Sequence, residues 1–264
     1  MLLESNSTNF PLSAKSTPTA FLAEKTVKLD FPHRLFVPQS YEPNYPYPLV
    51  VWLHSDASSE LELDGIMAAL SIRNYIAIAP RANLKSRGHQ RRYRWGTSST
   101  DCAVAEDLVW DSVQSAVESL SIHPERIFLA GFGGGATMAQ WIGLKYASQV
   151  AGVVSLSGAF PKTQRVLSNW KNARELDVLF GQRQGSNLCS DDAFLRTVKT
   201  SYQSCLNYKF VQFRDEECKS SSDELDSSML ECANRFMMSL VTGTELQLSP
   251  ETPCEKECME FGFN

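Results

Sequence analysis

No apolar run in this 264-residue chain reaches the roughly 18–20 residues that a membrane span requires. There is no excess of basic charge either. Lys and Arg number 25 against 30 Asp and Glu, a net charge of −5, so no global positive field directs the chain to nucleic acid. Histidine is scarce: His33, His54, His89 and His123 are all there are, and none follows position 123. No signal-peptide core is expected, because Met1-Leu2-Leu3 runs into Glu4 and then a Ser/Thr/Asn-rich stretch. The seven cysteines are an odd number, so free thiols in a reducing, cytoplasmic compartment are expected. Cys254 and Cys258 are the one close pair, and with no histidine near them they do not complete a metal site. Neither a metal nor a cofactor is expected.

What is present is enough apolar material for a sizeable core. Hydrophobic residues make up 43% of the chain, with 14 Phe and 5 Trp, which excludes a mainly disordered protein. Residues 1–20 read as a flexible N-terminal arm, 21–243 as one domain and 244–264 as an acidic C-terminal tail. Within the domain, strand-like and helix-like stretches alternate. Arg34 to Val37 is a short strand stopped by Pro38, and Pro48 to Leu53 is a continuous apolar run suited to a strand buried on both faces. Tyr75 to Ala79, Arg126 to Ala130, Val153 to Ser157, Asp177 to Phe180 and Tyr208 to Phe213 are further strands. Helices are expected over 102–120, capped by Asp101, over Ala136 to Tyr146 and over Asp223 to Val241. In the first of these, Val104, Leu108, Val109, Val113, Val117 and Leu120 fall at helical spacing. This alternation implies an α/β fold, a mostly parallel central sheet with helices on both faces.

The most informative feature is the turn Gly131-Phe132-Gly133-Gly134-Gly135 between a strand and a helix. Gly131-x-Gly133-x-x-Ala136 fits a dinucleotide fingerprint, but that also needs an acidic residue about 20 positions on. The chain has no Asp or Glu from Arg126 through Arg174, and no Gly-Lys-Ser/Thr follows the turn as a phosphate-binding loop would require. A strand, tight turn and helix also make the nucleophile elbow of serine hydrolases, Gly-x-Ser-x-Gly, in which glycine here replaces the serine. A third reading is simply a close helix–strand approach, which is compatible with the second.

The segment from Ile122 through Ala139 resembles the central segment of the carboxylesterase/phospholipase branch of the α/β-hydrolase superfamily. Arg34-Leu-Phe-Val-Pro38, Leu49-Val-Val-Trp-Leu-His54, Ala79-Pro-Arg81 with Tyr93-Arg-Trp95, and Ser155-Leu-Ser-Gly158 match other parts in the same order. The resemblance covers roughly residues 30 to 242 and implies an α/β-hydrolase fold. It also implies a triad in the chain order nucleophile, acid, histidine. Matched residue by residue, it puts Gly133 at the nucleophile, Ser186 at the acid and Asp223 at the base, with Asp191 and Asp192 as displaced substitutes for the acid. Glycine offers no nucleophile, and a carboxylate is a weak base at neutral pH without the two-ended geometry of imidazole.

The resemblance therefore implies a pseudoenzyme, an esterase-like fold without ester hydrolysis. The competing expectation is a serine-hydrolase-like esterase or thioesterase with rearranged residues. Ser155, Ser157 and Cys218 are the nucleophiles weighed for it, and packing roles are favoured for the two serines. The family's oxyanion loop, His-Gly, reads His54-Ser55 here. His54, Ser55, Gly134 and Gly135 are thus the candidate oxyanion or ligand-binding residues, suited to a small carboxylate or acyl ligand. Arg87, Arg91, Arg92 and Arg94 form a basic loop free of acids that a phosphate, a carboxylate or an acidic protein partner would find attractive. Most such runs are simply solvated. The tail carries Met259, Phe261 and Phe263 among its acids, so a docking segment is the alternative to a disordered end. Nothing in the sequence fixes an oligomeric state.

Overall fold

The computed structural model describes residues 31–88, 90–161, 170–213 and 225–246. The N-terminal arm, most of the acidic tail, His89, Cys218, Asp223 and the Cys254/Cys258 pair lie outside them. In chain order the described elements are β1 (His33–Phe36), β2 (Tyr47–Leu53), α1 (Glu62–Leu70), β3 (Ile76–Pro80), β4 (Leu84–Lys85) and β5 (Tyr93–Arg94). They continue with α2 (Ser99–Ser119), β6 (Ile122–Phe132), α3 (Gly134–Lys145), β7 (Gly152–Leu156), α4 (Trp170–Glu175), β8 (Val178–Arg183), α5 (Asp191–Gln203), β9 (Tyr208–Phe213) and α6 (Ser227–Thr242).

Seven strands make one sheet in the order β1-β3-β2-β6-β7-β8-β9. Only β1 runs antiparallel to its neighbour, pairing His33 with Pro80; the other pairings are parallel. All seven residues of β2 are buried, as expected for a strand covered on both faces. The pleat sends Leu49, Val51 and Leu53 into the core under α2 and α3, and Val50 and Trp52 into the core under α1 and α6. One strand thus anchors both layers of helices.

Register decides where the loops meet. Leu53 stands opposite Gly131, Gly131 opposite Ser155, and Leu156 opposite Gly181. The C-terminal ends of β2, β6, β7 and β8 are therefore level, and the segments that follow them gather at one end of the sheet. That is where parallel α/β sheets hold ligands.

Local chemistry shifts several expected boundaries. Helix α2 begins earlier than expected because Ser98, not Asp101, is its cap: Ser98 Oγ accepts the Asp101 amide at 3.1 Å and donates to Asp101 Oδ2 at 2.6 Å. Its buried face is also narrower. Cys102, Ala105, Val109, Val113 and Ala116 face the sheet, while Val104 and Val117 are exposed. Small residues let α2 lie close to the sheet, so its inner stripe is less apolar than a valine count implies. Helix α6 starts after Asp226, whose carboxylate accepts the Met229 amide at 2.9 Å. Helix α1, helix α5 and the β4–β5 hairpin were not expected from the sequence. Among the described residues no helix is long and apolar enough to cross a membrane.

Helices α2 and α3 are tied by one buried carboxylate. Glu106 accepts from Trp141 Nε1 at 2.7 Å, Lys145 Nζ at 2.5 Å and Tyr146 OH at 3.0 Å. Removing it leaves the buried Trp141 N–H without its acceptor, which costs the full desolvation of that group. Glu106→Ala should lower the unfolding free energy by about 3 kcal/mol, read as a lower urea midpoint at unchanged slope. A midpoint shift within error would show that the three donors find other partners.

Candidate active site and its internal carboxylates

The glycine turn has the backbone of an elbow. Gly133 adopts φ +55°, ψ −120° as the N-cap of α3, and its amide donates to Leu156 O at 2.9 Å. A side chain at Gly133 would find room: an added Cβ meets Leu188 Cδ1 at 3.7 Å, an ordinary contact. Backbone strain, not crowding, is what glycine relieves there. At Gly135 the reason is different. A Cβ would lie 2.0 Å from Leu53 O, so glycine lets α3 rest directly on β2.

The helix N-terminus at this turn is an anion site by its free amides and its dipole. The chain itself sets a carboxylate against it: Asp56, on the loop after β2, packs on Gly134, whose amide helps to lower the Asp56 pKa. A Cβ on Gly134 would meet the Asp56 carboxylate at 2.4 Å. The loop is held in a tight turn, with Ala57 at φ +56° and Ser58 paired with Tyr93 of the hairpin. Partial burial raises the pKa of the Asp56 carboxyl from 3.8, against lowering contributions from His54, Arg94 and the Gly134 amide. Charging Asp56 therefore works slightly against the fold, and the helix end compensates in part.

Ser55 is turned away from that turn. Its amide donates to Glu62 Oε2 at 3.1 Å and its hydroxyl to the same oxygen at 2.7 Å, while Glu62 Oε1 accepts from Trp52 Nε1 at 2.9 Å. Ser55 opens onto a separate cavity of about 440 Å³ between α1 and α6. The structure thus keeps Gly133 and Gly134 together and separates Ser55 from them.

His54 is fully buried. Its Nε2 accepts the Ala82 amide at 3.1 Å and its Nδ1 lies 2.8 Å from Ser55 O. These partners assign the proton to Nδ1 and leave no ring nitrogen to act as a base. Its backbone oxygen accepts from Trp95 Nε1 at 2.9 Å. The other described histidines are remote. His123 begins β6, ten residues before Gly133, roughly 30 Å by strand rise. His33 lies on edge strand β1, three strand spacings from β6, roughly 14 Å.

Ser186, which the family resemblance puts at the acid position, is buried in the turn after β8, and its Oγ accepts the Leu188 amide at 3.1 Å. Its near neighbour Arg183 is 2% exposed and forms an ion pair with Asp226, the cap of α6. Asp226 is the described carboxylate nearest in sequence to Asp223. Asp191 accepts from Gln182 Nε2 at 3.0 Å at the start of α5, and Asp192 lies in the same first turn. Ser155 accepts from Gln140 Nε2 at 2.8 Å, and both Ser155 and Ser157 are buried. The hairpin leaves Arg87, Arg91, Arg92 and Arg94 exposed. Arg81 is committed, its guanidinium gripping Glu60 with a bond of 2.7 Å from Nε and a second from Nη2. Burial raises the Glu60 carboxyl, but Arg81 outweighs it and holds the pKa below 4.5.

Asp56 and Arg183 were missed by sequence reasoning. The signal available for Asp56 was a carboxylate two positions after the family's loop histidine. For Arg183 it was a cation at the end of a fully buried strand.

The sequence profile of the phospholipase/carboxylesterase family matches residues 99–239, which hold the glycine turn and the helices on either side of it. The chain belongs to this family. Among solved structures it is similar to Arabidopsis thaliana SOBER1, at 14% identity and TM-score 0.63, covering 74% of this chain and 99% of that one. It is also similar to Zea mays acyl-protein thioesterase 2, at 14% identity and TM-score 0.61, over 80% and 99% of the two chains. A phospholipase/carboxylesterase from Dyadobacter fermentans matches at 13% identity and TM-score 0.57, over 81% and 100%. No curated protein matches the sequence. At such identities the likeness carries the α/β-hydrolase fold.

Burial lowers the pKa of His54 from 6.5, with Ser55, Glu62, Glu60 and Asp56 pulling the other way. The unfolded chain then binds more protons than the folded one between that lowered value and 6.5. Stability from neutral His54 is complete above about pH 6.5 and is lost as pH falls below it. The melting temperature should fall between about pH 7.5 and about pH 5.5, and a His54→Gln variant should show a shallower fall. Equal slopes would remove His54 as the cause.

Proposed function

We propose that this chain is a non-hydrolytic member of the phospholipase/carboxylesterase family, a pseudoenzyme whose pocket binds a ligand without cleaving it. The observation that carries the reading is at the glycine turn. The nucleophile position is Gly133, and the carboxylate of Asp56 is packed against the adjacent Gly134. The Ser55 amide, on the other loop expected to supply an oxyanion donor, is bound by Glu62.

An acyl-transfer site needs a nucleophile, a base and preorganised donors aimed at the developing oxyanion. Here the nucleophile has no side chain, His54 has no free nitrogen, and carboxylates stand at both donors. A carboxylate beside an oxyanion repels it, so Asp56 opposes the charge that ester hydrolysis develops. The thiol that lines the neighbouring cavity, Cys102, is poorly activated: burial, with Glu106 and Asp101, raises its pKa.

The buried thiols of Cys102 and Cys189, neither in a disulfide, fit a reducing compartment such as the cytoplasm. The exposed Arg87, Arg91, Arg92 and Arg94 give a second surface, open to an acidic protein partner.

The purified protein should show no turnover of an aryl acetate above a heat-inactivated control and no adduct with a fluorophosphonate. Gly133→Ser should fold, lose about 1–3 kcal/mol through strain at its positive φ, and remain inactive. Steady turnover with an acyl group retained on any side chain would establish the rearranged hydrolase instead.

A further inference from the structure

Beside the turn lies a cavity of about 420 Å³, within the range of small-molecule sites. Trp95, Trp141 and Phe160 line it together with Met138 and Leu188. Among the described lining residues Asp56 alone carries a charge. We propose that this cavity is a site for a small organic ammonium ion with an apolar body, its charged head set against Asp56 and the aromatic rings. The proposal deepens the non-hydrolytic reading above by naming the ligand class, and it rests on that reading.

Three observations favour a cation over the carboxylate that a bare helix N-terminus would attract. First, the helix end faces a carboxylate: Asp56 packs against Gly134 and both line the cavity, so an incoming carboxylate meets a carboxylate there. Second, the pocket walls suit an ammonium group. Two tryptophans and a phenylalanine border it, and aromatic faces attract alkylammonium ions through their quadrupoles. The indole N–H groups are both used outward, Trp95 to His54 O and Trp141 to Glu106. The rings therefore bring no free donor for an anion.

Third, the neighbouring cations are placed elsewhere. Arg81 is bound to Glu60 and Lys145 to Glu106. Arg94 acts on Asp56 only through space, is exposed and does not line the cavity. On the other side, the Asp101 carboxylate packs against Gly96 of the lining, within 2.4 Å of where a Cβ on that glycine would stand. Asp101 thus adds negative charge behind Gly96 to that of Asp56 at the wall.

Three probes of nearly equal shape and different charge test this: phenethylamine, 2-phenylethanol and phenylacetate. Each is titrated at neutral pH into isotope-labelled full-length protein. The Gly134 amide and the indole N–H signals of Trp95 and Trp141 are followed by nuclear magnetic resonance. Phenethylamine should saturate these shifts, with 2-phenylethanol at least about tenfold weaker and phenylacetate weaker still. Asp56→Asn, checked for folding by circular dichroism, should bind the amine and the alcohol alike. Phenylacetate binding as tightly as phenethylamine in the wild-type protein would overturn the proposal, as would the absence of any shift with the amine. So would an amine preference that survives in Asp56→Asn. The wild-type ranking decides the matter even if that variant does not fold. An aryl acetate assay on the same sample separates the two readings: turnover with the amine preference intact removes the non-hydrolytic reading alone. No turnover with phenylacetate preferred removes the ligand class alone.

Discussion

The structure depends on how closely the turn after β6 is pressed against β2. Leu53 O lies 2.0 Å from the place a Gly135 Cβ would take, and a Gly131 Cβ would lie 2.7 Å from the same oxygen. Only glycine allows this approach, and the approach fixes the direction of α3. Because α3 starts at that point, its free amides are aimed at the shared C-terminal end of the strands. A helix end placed there must be satisfied by something. In this chain the carboxylate of Asp56 is the group packed against that end.

The same substitution of internal for external partners recurs around the turn. Glu62 takes the Ser55 amide and hydroxyl and the Trp52 indole. Ala82 N–H takes the free lone pair of His54. Arg183 and Asp226 join the end of β8 to the cap of α6 in a pair whose arginine is almost fully buried. A buried ion pair of this kind adds little net stability over an apolar pair, but losing one partner is costly. Each contact therefore locks a loop in place and satisfies a polar group at the strand ends. The cavity beside Gly133 survives because its lining is mainly apolar and needs no such settlement.

The sheet was legible in the sequence because its strands are unbroken apolar runs bounded by proline, glycine or a charged turn, as at Pro48 to Leu53 and Tyr75 to Ala79. The elbow was legible because a glycine run between strand and helix admits few structures. Helix α5 was not, since only Phe194, Thr197 and Ser201 of its residues are buried, a stripe with one large apolar side chain. Helix α1 is short and carries Glu62 and Asp64 in its first turn, which masks Leu63, Ile66, Met67 and Leu70. At the site, Gly133 and Ser186 could be placed by matching the family's motifs in order. Asp56 could not, because its role arises from a long-range meeting between the loop after β2 and the start of α3. Spacing along the chain does not report which carboxylate will reach a helix end.

Fold and catalysis place separable demands on this architecture, and the magnitudes explain why one can persist without the other. A serine at a positive φ stores about 1–3 kcal/mol of strain, which Gly133 at +55° avoids. A carboxylate at a helix N-terminus contributes about 0.3–1 kcal/mol, up to about 2 kcal/mol when partly buried. Glycine at the turn therefore favours the folded state, the helix end offsets only part of what burial costs the Asp56 charge, and losing a triad member removes several orders of magnitude in rate. Glycine at the turn therefore relieves strain with no penalty in packing. The sheet register and the glycine approach belong to the fold itself. The polar groups at the strand ends are not needed for that register, so they are the part of this architecture free to vary.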